Sequence, residues 1–256
     1  MSSANVPRIG LVNNSSKSID FSEITEVARA LQIQMDHDYT PIWGVGANIT
    51  AYPSDEAIPT DVWPISLVDV PKGGLGIHLN AESGQPFAEV QATNDWSLTA
   101  SHELLEMVTD PYGRNFKQGR DITPKSDGHL VSYLVEVGDP CEINSYNILN
   151  VQVSDFVTPS YYSNPFGPPP SPFAMLDFMR KLTKPYEVPS GCYLSWQDHV
   201  DNSWHQKNTA GKFTIIGKID PNKNPRQDRD DKSPEDEESE RHDLAKILKA
   251  HSKSRK

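Results

Sequence analysis

"WSLTASHELLEMVTDPYG", residues 96–113, is the stretch on which the reading of the fold turns. Asn94 or Asp95 can cap a helix here, and Asp110-Pro111 stops it near Thr109. Trp96, Leu98, Leu104, Leu105, Met107 and Val108 place apolar groups nearly all the way round, the pattern of a buried helix. His102 and Glu106 stand one turn apart and share a face, with Glu103 beside them. Burying a carboxylate costs on the order of several kcal/mol unless it is paired, protonated, wet or bound to a cation. A metal ion in a cleft resolves that cost. Ser101, His102 and Glu103 are adjacent, so they point in different directions and do not make a nucleophilic triad.

Upstream of this helix, "RIGLV" reads as a strand and "DFSEITEVARALQIQMDHDY" as an amphipathic helix carrying Phe21, Ile24, Val27, Ala28, Leu31 and Met35, with Asp20 available as its cap. "PIWGVGANITAYP", "WPISLVDVP", "LGIHLN" and "FAEVQA" read as further strands. Downstream, "HLVSYLVEV" and "NVQVSDFVTPSYY" are strand-like and flank "GDPCEINSYN", and "SNPFGPPPSP" is an exposed extended loop. The aromatic-rich segment from Phe173 to Gln206 is too apolar for a linker and packs back on the domain. The expected organisation is a short flexible N-terminus over 1–6, one domain over 7–215, and a disordered charged tail over 216–256. Within the tail, "DLAKILKAHSK" has Leu244, Ile247 and Leu248 at helical spacing.

The helix follows the logic of HExxH zinc helices, with Glu106 in place of the second histidine: HExxE. The chain here resembles the zincin-like metallopeptidases, in which a strand-rich half ends in an edge strand and the metal helix follows. "LGIHLNAESGQPFAEVQATNDW" stands where that edge strand and turn belong. The resemblance implies an α+β fold with a mixed sheet, an edge strand and a buried metal-binding helix. It also implies a Zn2+ cofactor, with His102 and Glu106 as ligands and Glu103 as general base to a metal-activated water. A third ligand comes from further along: Glu136 in "YLVEVGDPCE" matches best, with Asp139 in place of the Asp that orients the ligand histidine, or as the ligand itself. Asp110 is an alternative whose simpler role is the turn "TDPYG".

Calcium on Asp139, Glu142 and backbone carbonyls is possible chemically, but the histidine favours zinc. Cys141 adjoins these acids, though a small buried thiol is the commoner outcome. Tyr112, Tyr133 and Tyr193 are candidate transition-state donors. No ligand spacing links His78, His129, His199 and His205.

The net charge of −11, from 35 acidic and 24 basic residues, argues against a nucleic-acid partner. No apolar run approaches the roughly 20 residues of a membrane span, and the start lacks a signal-peptide pattern. A cytoplasmic hydrolase acting on a peptide or protein substrate is the resulting expectation. A non-catalytic binding protein of the same fold, with a structural ion or none, is the alternative. Two cysteines do not make a disulfide framework, so thiols are expected.

Overall fold

The computed structural model describes residues 6–167, 171, 174–208 and 211–232. Its elements are β1 (Arg8–Asn13), α1 (Phe21–Ile33), a π-helical turn (Gln34–Tyr39), α2 (Thr40–Trp43), β2 (Asn48–Ala51), β3 (Val62–Val68), β4 (Gly76–Asn80), β5 (Pro86–Gln91) and α3 (Trp96–Thr109). There follow β6 (Phe116–Arg120), β7 (Leu130–Leu134), β8 (Ser145–Ile148), β9 (Val151–Ser154), β10 (Leu194–Asp198), β11 (Ser203–Lys207), β12 (Phe213–Lys218) and α4 (Pro225–Asp230). The span read as one domain forms two compact units, Met1–Tyr112 with Ser145–Asp155, and Gly113–Asn144 with Phe156–Lys256.

The first unit holds a mixed five-stranded sheet ordered β2-β1-β3-β5-β4. β1, β2, β3 and β5 run parallel, and β4 is antiparallel to β5 at the edge. Parallel neighbours need a crossover, and α1 supplies it between β1 and β2. β1 lies between two strands, so Ile9, Leu11 and Val12 are all buried. In α1 the buried side chains Ile24, Val27, Ala28 and Leu31 follow the helical period, while Phe21 at its start is half exposed. Asp20 caps through its backbone carbonyl, which accepts from Glu23 and Ile24. The helix then widens into the π turn, which keeps Gln34, Met35 and Tyr39 buried.

α3 packs on β4, β5 and β9, and eleven of its fourteen residues are buried, as its all-round apolar pattern requires. Gly76 of β4 permits the close approach: a Cβ there would meet Thr99 Cγ2 at 2.5 Å and Glu103 Oε1 at 2.6 Å. The β8–β9 hairpin turns through Leu149 and Asn150, both at positive φ, the two-residue geometry that suits the twist of a hairpin. A buried polar network ties it to the helices. Ser101 Oγ donates to Gln34 Oε1 (2.7 Å) and accepts from Ser154 N–H (2.9 Å), and Gln34 Nε2 donates to the Ser154 carbonyl (2.8 Å).

The second unit holds an antiparallel sheet ordered β12-β11-β10-β7-β6. Tyr133 and Trp196, paired across β7 and β10, pack their rings 5.6 Å apart, and Tyr186 covers Tyr133 at 4.4 Å. The aromatic segment thus packs back as expected, within this unit.

One boundary is corrected. The charged segment expected to be disordered from residue 216 is folded as far as Lys232, through the end of β12 and α4. Its charges find internal partners. Asp228 accepts from Trp204 Nε1 (2.8 Å), from the Asp220 N–H (2.9 Å) and from Lys232 Nζ, and Arg229 Nε pairs with Asp230 at 2.8 Å. Residues 233–256, with the candidate helix around Leu244, lie outside the described residues. The mixed α+β organisation agrees with expectation. No helix among the described residues is long and apolar enough to cross a membrane.

Candidate functional site

The first unit gathers four titratable side chains where α3 meets the edge strand. His78, the middle residue of β4, brings Nδ1 to 3.0 Å from Glu103 Oε2 and 3.6 Å from Glu106 Oε2. Glu106 Oε1 lies 3.3 Å from His102 Nε2, the i,i+4 contact foreseen from spacing. The residues are deeply placed: His78 and Glu106 are 3% exposed, Glu103 5%, and only the His102 side chain reaches 14%. Donor atoms of His78, Glu103 and Glu106 all lie within 4.8 Å of one another, a spacing a metal ion can bridge.

Two buried carboxylates need compensating positive charge, which imidazolium protons or a cation supplies. The donors are mixed nitrogen and oxygen, a set that suits zinc. The trio His78, Glu103 and Glu106 fits a zinc-class ion, and His102 reaches it through Glu106, whose Oε1 lies 3.3 Å from His102 Nε2. Beneath them, the Tyr39 hydroxyl sits against Thr109 Oγ1 and the Leu105 carbonyl, and burial holds its pKa well above the usual phenol value.

His78 is the residue that sequence reasoning missed. Its strand alternates weakly, and nothing in linear spacing links position 78 to 103. The available signal was topological: an antiparallel edge strand directly before β5 must lie beside the helix that follows.

The remaining candidates are placed as follows. Asp110 caps the C-terminal end of α3 and is buried, in keeping with its turn role. Glu136 and Asp139 are buried in the second unit, Asp139 opening a 3-10 turn (Asp139–Cys141). Arg229 Nη1 lies 3.9 Å from Asp139 Oδ2 in that unit. Burial opposes the charge on Arg229, but Asp230, Tyr193, Glu136 and Asp139 outweigh it and hold its pKa well above the ordinary value. Tyr133 donates to the Arg120 carbonyl, Tyr193 accepts from Arg229, and Tyr112 is exposed. Cys141 and Cys192 are buried thiols outside any disulfide. Ser101 is committed to the hairpin network, which agrees with its exclusion as a nucleophile.

Comparison of the chain with protein-family models, curated proteins and solved structures gave no match.

Proposed function

We propose that the chain is a zinc-dependent hydrolase, a metallopeptidase of zincin-like fold, acting through the α3 cluster. The observation that carries this reading is the buried set His78, His102, Glu103 and Glu106, linked by nitrogen–oxygen distances of 3.0 to 3.6 Å beside an edge strand. His102 and Glu106 would hold the ion, which when bound supplies activation of water and stabilisation of a developing oxyanion.

Glu103 is the proton carrier. Its Oε2 lies 3.0 Å from His78 Nδ1 and its Oε1 faces Gly76, and as general base it would take the proton of the attacking water and return it to the leaving amine. The backbone of β4 at the sheet edge suits a peptide laid down as an added strand, which favours an extended peptide or protein substrate. His78 is a positioning residue in this scheme.

A second reading, a non-catalytic binding protein with a structural ion or none, is favoured by the contact that already engages the Glu103 carboxylate with His78. Zinc content and peptide hydrolysis separate the two. Glu103→Gln is expected to keep about one zinc per α3 cluster and to lose hydrolysis by roughly 10²–10⁴-fold, whereas His102→Ala and Glu106→Ala lose the metal. Hydrolysis that survives Glu103→Gln overturns the mechanism, and wild-type protein that takes up no zinc and cleaves no peptide supports the binding protein. Glu136→Gln and Asp139→Asn in the same assay test the further ligands expected from sequence.

A further inference from the structure

The second unit carries a histidine–aspartate cluster that the function above does not use. Strand register brings it together. Tyr133 on β7 and His205 on β11 both pair with Trp196 on β10, and Asp198, two residues on, pairs with Ser203. The Asp121 N–H donates to the His129 carbonyl, extending the β6–β7 ladder by one pair. Side chains alternate along a strand, so Asp121, His129, Asp198 and His205 share one face near one end of the sheet. Asp121, Asp198 and His205 are buried.

His129 is held between two carboxylates. Its Nδ1 lies 2.9 Å from Asp127 Oδ1 and its Nε2 lies 2.9 Å from Asp198 Oδ2. A neutral imidazole carries one N–H, so one of these contacts calls for an added positive charge, a proton or a metal ion. The pattern of Nδ1–H on a carboxylate, with Nε2 turned inward, is the one that orients metal-binding histidines. Asp121, His129 and Asp198 each place a donor atom within 4.8 Å of the others, and His205 Nε2 lies 4.0 Å from Asp198 Oδ2. Two donors about 2.1 Å from one ion can be no more than about 4.2 Å apart, and the 2.9 Å His129–Asp198 contact meets that limit. His205 groups instead with Asp198 and Asp201, and its Nε2 is already engaged by Asp201 Oδ2 at 2.9 Å and Ser203 Oγ at 3.1 Å.

We propose that Asp121, His129 and Asp198 form a second divalent-metal site, of the zinc class, independent of the α3 cluster. An imidazole among the donors favours zinc over calcium or magnesium. The ion would clamp the 121–129 loop to the β10–β11 hairpin, so its binding is coupled to the folding of this sheet.

The test is equilibrium dialysis of the chelator-stripped full chain against zinc, with metal content read by mass spectrometry. In a Glu103→Gln/Glu106→Gln background, which removes the carboxylates of the α3 cluster, about one zinc per chain is expected to remain. Adding His129→Gln and Asp198→Asn removes it. Zinc content unchanged by these two substitutions overturns the proposal, as does an absence of zinc in a background protein whose circular dichroism matches wild type. Because these variants can fail to fold, wild-type protein is read in parallel by long-range 1H–15N spectra of its histidine rings. Zinc should shift the Nε2 signal of His129, and if it does not move under added zinc the site does not exist. A failure of the α3 cluster alone leaves this signal responsive, so the two conclusions fall separately.

Discussion

Ser101 shows how a residue that invites a catalytic reading is spoken for by packing. Its hydroxyl bridges Gln34 of the π turn and the Ser154 N–H of β9, so Ser101→Ala leaves a buried N–H unsatisfied. We expect a loss of about 1–3 kcal/mol in urea denaturation, with zinc content unchanged. Asp228 is the corresponding case in the second unit. Burial alone would raise its pKa, but bonds from Lys232, the Asp220 N–H and Trp204 outweigh this and lower it below the ordinary 3.8. A lowered folded value means that the stabilisation is complete above the unfolded value and is lost as pH falls through the folded one. Asp228→Asn should therefore cost about 1.5–3 kcal/mol at neutral pH. The gap between variant and wild-type melting curves should close below about pH 4. Neither role was legible in sequence: helix geometry excluded Ser101 from a nucleophilic triad but named no partner for its hydroxyl, and Asp228 sits in a run of charges that composition alone assigns to solvent. The i,i+4 pair His102 and Glu106 was legible, because helical spacing fixes it before any tertiary contact forms.

Among the elements, α3 is the one that sequence placed most sharply, over the residues it occupies in the structure. Two strong stops bound it, and its apolar pattern admits one environment. β6 and β12 went unread. "FKQGR" and "FTIIGK" are short edge or near-edge strands whose identity depends on partners far along the chain. β4 was read as a strand standing where an edge strand belongs, yet its consequence, a histidine delivered to the helix, required knowing that it pairs antiparallel with β5. Gly76 makes that delivery possible by letting α3 lie close against the strand. Gly76→Ala inserts a methyl group against Thr99 and Glu103, and we expect about 1–3 kcal/mol of destabilisation. Because the collision is with Glu103 itself, zinc affinity should fall as well, measured by competition with a chromogenic chelator. Unaltered stability together with unaltered affinity would mean that β4 and α3 separate freely and that the cluster is not rigid.

At the scale of the whole molecule, the composition bounds the class and the connectivity escapes it. An acidic chain of 256 residues with two cysteines suits a protein whose metals, where present, are held by histidine and carboxylate. Two units instead of one domain could not be read from sequence, since no Gly- or Ser-rich linker marks the passages near residues 112, 144 and 155. A fragment of residues 1–112 retains every strand of the first sheet but lacks the hairpin that packs on α3. We expect it to expose apolar surface and bind a hydrophobic dye, and addition of Ser101→Ala to change it little. The same hairpin sets an order on biosynthesis. As the chain leaves the ribosome, α3 emerges some forty residues before the strand that covers it. At roughly 5–20 residues per second, that is a wait of several seconds with the hairpin-facing side of an apolar helix uncovered. The 113–144 segment synthesised in that interval belongs to the other unit, so the first to begin folding cannot finish before the second has started. A chaperone that holds nascent apolar helices would have its clearest opportunity there.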